Sequence, residues 1–188
     1  MRCGIYVILN KIFYFRMKKI LIIVGIVLLA CTLAVFLFWK DTKTAALTKA
    51  VNLAGTEEPD EGRTHIPVGS SHDAYKTNPP TSGSHYAEPA AWGVYETALP
   101  DEQLVHNLEH GGIWISYKPN IDADTKAKLI DLGKQYPKAV IVTPRANNPH
   151  SIEVASWRRL MDLDSFERNK IVDFIKRNKN QSPEPEAQ

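Results

Sequence analysis

The alternation of apolar and polar positions divides the 188-residue chain into four stretches. From Ile20 to Trp39 twenty consecutive residues carry no charge. At about 1.5 Å per helical residue such a run spans about 30 Å, the thickness of a bilayer's hydrocarbon core. It predicts one transmembrane helix with Trp39 at an interface. Residues 40–63 are polar and predict a juxtamembrane linker, with the acidic cluster Glu57-Glu58-Pro59-Asp60-Glu61 near its end. Thr64 to Ala98 is rich in Pro, Gly, Ser and aromatic residues and predicts irregular backbone, with short strands around Gly93–Thr97.

Regular periodicity begins at Pro100. Pro100 to His110 reads as a helix, with Asp101 and Glu102 at its positive end and Gly111-Gly112 as the stop. Ile113 to Tyr117 reads as a buried strand, Asp122 to Tyr136 as a helix and Ala139 to Thr143 as a second strand. Asn147-Asn148-Pro149 marks a turn, and Ile152 to Trp157 alternates as a strand, expected to be the hairpin partner of 139–143. Asp164 to Asn178 reads as the last helix, with Asp164 and Glu167 as a capping box. Gln181 to Gln188 holds Ser-Pro-Glu-Pro and predicts a disordered tail over 180–188. The order predicts an α+β fold: a small α/β sandwich over 64–179 with a mixed sheet, comparable to half of a ferredoxin-like or thioredoxin-like domain.

Charge gives this layout an orientation. Arg2, Lys11, Arg16, Lys18 and Lys19 precede the apolar run without a single acid, so residues 1–19 are expected inside and the C-terminal domain outside the membrane. Met17-Lys18-Lys19 opens like an export signal, which makes Met17 an alternative start. Leu28-Leu29-Ala30-Cys31 loosely resembles a lipidation site, but the apolar run continues past it, which favours an uncleaved anchor. Without those five bases the rest has 18 Lys and Arg against 21 Asp and Glu, no footprint for a nucleic acid. The two cysteines, Cys3 and Cys31, lie outside the domain, so a metal site there must use nitrogen and oxygen.

Five of the six histidines fall between positions 65 and 110: His65, His72, His85, His106 and His110. His106 and His110 are one helical turn apart, so both rings can reach one ion. They point away from the stripe of Leu104, Val105 and Leu108, toward a layer that the stiff segment Asn78-Pro79-Pro80-Thr81-Ser82-Gly83-Ser84-His85 can supply. The ligand set expected is His72, His85, His106 and His110, holding zinc or copper(II). Glu109 is placed as an orienting partner rather than a ligand. His106-x-x-Glu109-His110 also matches the inverted zinc-peptidase pattern, in which Glu109 would be catalytic. A third reading gives the histidines a purely structural or interaction role.

The motifs Asn-Pro-Pro-Thr-Ser-Gly-x-His at 78–85, Gly93-Val94-Tyr95, and Val105-His106-Asn107-Leu108-Glu109-His110-Gly111 before a strand ending in Tyr117 resemble one bacterial family, domain of unknown function 3105. His72 and Tyr75 match its pattern as well. The resemblance covers roughly Arg63 to Asn178 and implies a domain tethered by one N-terminal transmembrane helix, with no activity to carry over.

Overall fold

The structure, a computed structural model, describes residues 29, 31–34 and 53–188. The chain separates into two units, Met1–Asn52 and Leu53–Gln188. In the first, residues 29 and 31–34 are helical, and the rest of the expected Ile20–Trp39 span lies outside the described residues. No helix among the described residues is long and apolar enough to cross a membrane.

The second unit is a mixed α/β fold. Its elements run β1 (Thr56–Glu57), β2 (His65–Ile66), β3 (His85–Tyr86), β4 (Gly93–Val94), α1 (Asp101–Glu109), β5 (Ile113–Tyr117), α2 (Ala123–Lys134), β6 (Val140–Pro144), β7 (Ile152–Ser156), β8 (Arg159–Leu163) and α3 (Arg168–Asn178). Six strands form one sheet in the order β1-β8-β7-β5-β6-β4, and β2 pairs with β3 separately. β4 and β5 run parallel to β6, while β7 is antiparallel to β5 and to β8.

Side-chain alternation along the central strands builds a core on each face of the sheet. Ile113, Ile115 and Tyr117 of β5, Val140 and Val142 of β6 and Ile152 and Val154 of β7 pack with Leu129 and Leu132 of α2 and Ile171, Phe174 and Ile175 of α3. The residues between them, Trp114, Ile141 and Ala155, face the other way and meet Leu104, Val105 and Leu108 of α1. Those three α1 side chains are fully buried, and each contributes about 1.5–3 kcal/mol. The apolar stripe thus fixes which face of α1 is left for chemistry.

Five expectations need correction. Residues 53–63, expected to be linker, belong to the second unit, where β1 pairs with β8 and Ala54 is hydrogen-bonded to Asn178. β7 is not the hairpin partner of β6: it pairs with β5, with Trp114 opposite Ala155. All five β5 residues are buried; flanked by β6 on one side and β7 on the other, β5 leaves none of its backbone as an open edge. β8 was not foreseen. It follows β7 through a turn at Trp157-Arg158, where Arg158 takes φ +55° in place of the usual Gly or Asn. α3 begins at Arg168, and Glu167 caps it without a side-chain hydrogen bond, so the Asp164–Glu167 box does not form. The C-terminal residues, expected to be disordered, are tied down: the backbone N–H groups of Glu184, Glu186, Ala187 and Gln188 donate to the carbonyls of Glu109, His110, His110 and Lys138. Helix-end carbonyls need partners, and here the far end of the chain supplies them.

Candidate metal centre

Register places the first two imidazoles. β2 lies parallel to β3 with His65 opposite His85 and Ile66 opposite Tyr86. The strands are tied by the N–H groups of Gly83 and His85 donating to the carbonyls of Gly62 and Thr64 at 2.8 and 2.9 Å. Gly83, at φ +115°, lets the chain turn there; a Cβ would lie 2.9 Å from the Tyr75 ring. The Tyr75 hydroxyl in turn donates to the Ser84 carbonyl. The Pro-rich segment is held from its other end by Arg145, which donates to the Asn78 side chain and, through a two-bond fork, to Asp101 at the start of α1. Asn107 joins α1 to the loop between β3 and β4 by accepting from the Ala90 N–H and donating to the Ala90 carbonyl, at 2.9 and 2.8 Å.

These supports bring four imidazoles together. His106 stacks on His65 with ring centres 4.9 Å apart and on His110 at 4.7 Å, and meets His85 edge-on at 5.1 Å. His65, His85 and His106 each present a nitrogen, and the three nitrogens lie within 4.8 Å of one another. His85 is fully buried and His106 nearly so, whereas His65 is exposed. His110 stands at the edge, its Nε2 2.7 Å from Nε2 of His106. Its Nδ1 is enclosed without a hydrogen bond, and the Glu186 carboxylate stands 3.5 Å from it.

The hydrogen bonds set the tautomers. His85 Nδ1 lies 2.7 Å from the Gly83 carbonyl, and His106 Nδ1 lies 2.6 Å from the Tyr86 carbonyl. A carbonyl oxygen only accepts, so both Nδ1 atoms carry the proton. In the neutral rings both Nε2 lone pairs then face inward. His85 Nε2 faces a Glu109 carboxylate oxygen at 2.9 Å, and His106 Nε2 faces His110 Nε2, which in its Nε2–H tautomer donates to it. A lone pair against a carboxylate is repulsive, so a cation belongs between them, either a proton or a metal ion. Burial holds the His106 imidazole below its ordinary pKa against the raising effect of the Tyr86 carbonyl, and the neighbouring histidines lower it further.

Glu109 is nearly fully buried and faces His85, His65 at 3.5 Å and Arg63 at 3.8 Å. It was expected to orient a ligand from behind. It instead meets His85 at Nε2, the inward nitrogen, and the orienting is done by the backbone carbonyls of Gly83 and Tyr86.

His72 is not brought to this cluster. Its ring bonds the Asp73 carbonyl and the Glu102 carboxylate at 2.7 and 3.2 Å and packs on Tyr75. Glu102 occupies the first turn of α1, one turn before His106, so His72 flanks the opposite end of the helix. Sequence reasoning counted His65 among the clustered histidines but left it out of the ligand set. Only the parallel β2–β3 pairing places it, and two-residue strands leave almost no periodic signal.

A second group, His150, Glu153 and Asp162, gathers on β7 and β8 and the turn before them. Glu153 is fully buried, and burial, followed by a side-chain hydrogen bond with Asp162, pushes its carboxyl up to about 7.

No curated protein and no solved structure matches this chain. A family model described as a protein of unknown function (DUF3105) matches residues 68–188, from just after His65 to Gln188. That match takes in well over half of the sequence and both histidine motifs, and the chain therefore belongs to this family.

Proposed function

We propose that the domain binds one divalent metal ion through His65, His85 and His106, with His110 against His106 at the edge of the site. The observation that carries this reading is the pair of Nδ1–H donations to the Gly83 and Tyr86 carbonyls. They aim two lone pairs inward, the arrangement found where a second hydrogen bond fixes the tautomer of a ligating histidine. Three imidazoles without thiolate suit zinc or copper(II). Metal analysis of the full chain, purified at neutral pH without a histidine tag, is expected to find one ion at this cluster. Preparations free of metal that also fail to take up zinc or copper(II) on titration would leave the histidines with only a structural role.

The zinc-hydrolase reading rests on one further observation, the buried Glu109 carboxylate beside His85 and His65. Three protein ligands leave a zinc position open to water, and a carboxylate next to it can take a proton. This reading requires Glu109→Gln to abolish turnover while metal remains bound; unchanged turnover in that variant removes it.

The domain's address is proposed from sequence: an anchor at Ile20–Trp39 with its bases on the N-terminal side supports a domain outside the cytoplasmic membrane. Val68 is well exposed. Val68→Cys, with Cys3 and Cys31 changed to Ser, is expected to react in intact cells with a membrane-impermeant maleimide. Labelling only after lysis would reverse the orientation.

A further inference from the structure

We propose a second divalent-cation site, formed by His150, Glu153 and Asp162 and separate from the histidine cluster. Glu153 of β7 and Asp162 of β8 are directly opposed in the antiparallel register. Two carboxylates at such a position destabilise a sheet unless a proton or a metal ion is shared between them, and burial with the Asp162 hydrogen bond raises the Glu153 carboxyl to about 7. Among the described residues, the group in contact with the pair that can carry positive charge is His150. His150 donates its backbone N–H to Glu153 Oε1 at 3.0 Å, and its Nδ1 lies 3.1 Å from the same oxygen and 4.0 Å from Asp162 Oδ2. Donor atoms around a four-coordinate zinc ion stand about 3.4 Å apart, given bonds of about 2.0–2.2 Å. The two contacts straddle that spacing.

The independent sign of a missing ligand is Glu153 Oε2. The residue is fully buried, and this oxygen receives no N–H or hydroxyl donor; Glu153 is otherwise met by the Asp162 carboxyl through a shared proton, which a metal ion would replace. A buried carboxylate oxygen without a donor is unfavourable unless a proton or a metal ion reaches it. His150 and Asp162 have side chains 40% and 50% exposed. The group is therefore a buried carboxylate floor under two solvent-facing ligands, open enough for an ion to enter with its remaining water. One imidazole with two carboxylates selects a first-row divalent transition metal over calcium, which takes oxygen ligands alone.

The test is equilibrium dialysis of the full chain against zinc at pH 7.5. Wild type is expected to bind two ions, and His150→Ala/Asp162→Asn one, with the affinity for the lost ion at least tenfold weaker. Both altered side chains are half exposed, and circular dichroism checks the fold. Asp162→Asn alone should weaken the same ion, removing one charge without a change of shape. Equal stoichiometry and affinity in wild type and the double variant overturn the second site. His65→Ala/His106→Ala separates the two proposals. If the histidine cluster binds nothing, that variant matches wild type, and His150→Ala/Asp162→Asn still loses one ion.

Discussion

Replacing His85 and His106 together by alanine is expected to abolish metal binding at the imidazole cluster, a fall in affinity on the order of a hundredfold or more. These two rings matter most because their outer nitrogens are committed to the Gly83 and Tyr86 carbonyls, so their inward lone pairs are aimed before any ion arrives. His85 is fully buried, and its loss also leaves a hole. His65→Ala is therefore the milder companion: its ring is half exposed, and it should weaken binding with little effect on folding. Acid should act in the same direction. Because the folded state holds the His106 pKa below the ordinary 6.5, the unfolded chain binds more protons than the folded chain just below that pH. The linked contribution to stability is then present above about pH 6.5 and is lost as pH falls through the folded value. Metal release should follow the same fall, since ligating imidazoles must be neutral. Calorimetric zinc titration at pH 7.5 and 5.5 checks both. Full stoichiometry at the cluster in a folded His85→Ala/His106→Ala chain would falsify the ligand assignment.

Gly111→Ala should be among the most damaging single substitutions, costing about 3 kcal/mol or more. Two separate penalties meet there. Gly111 sits at φ +82°, and a Cβ would approach Asn180 Oδ1 to 2.4 Å and its Cα to 2.8 Å. Asn180 cannot easily give way. Its N–H donates to the Gly111 carbonyl, and its amide group accepts from the Ala187 N–H and donates to the Ala187 carbonyl. Gly62 is the control: φ is +84°, but nothing lies within 4 Å of the added atom. Gly62→Ala should cost only the backbone term, about 1–2 kcal/mol. Urea unfolding of both variants gives the comparison. Equal losses would show that the contact with Asn180 carries no energy.

The regular half of the fold was legible because its periods are strong. Ile113–Tyr117 has the bounds its run of apolar residues suggests. The helix expected from Asp122 begins with the Asp122 side chain accepting from the Thr125 N–H. What could not be read is pairing between segments. Nothing in residues 152–157 says that their partner is β5 rather than β6. β8 escaped notice because Arg159 and Asp162 interrupt its apolar pattern and no turn residue announces it. At the site, the helical spacing of His106 and His110 was visible, and so was the stiff segment that carries His85. The choice between His65 and His72 depended on a strand register of two residues. The orienting carbonyls of Gly83 and Tyr86 are backbone atoms, which no side-chain motif records.

The last residues of the chain also bear on how this protein can be handled. The Glu109 and His110 carbonyls, at the end of the helix that carries two of the clustered imidazoles, take their N–H partners from Glu184, Glu186 and Ala187. Gln188 is hydrogen-bonded to Lys138, one residue beyond the contact with His110. A recombinant extension added after Gln188 would therefore start beside the candidate metal centre, and a polyhistidine extension would hang within reach of it. A purification handle in that position would compete for the same ions it is meant to leave undisturbed. One placed ahead of Leu53 would not share the helix's carbonyl partners.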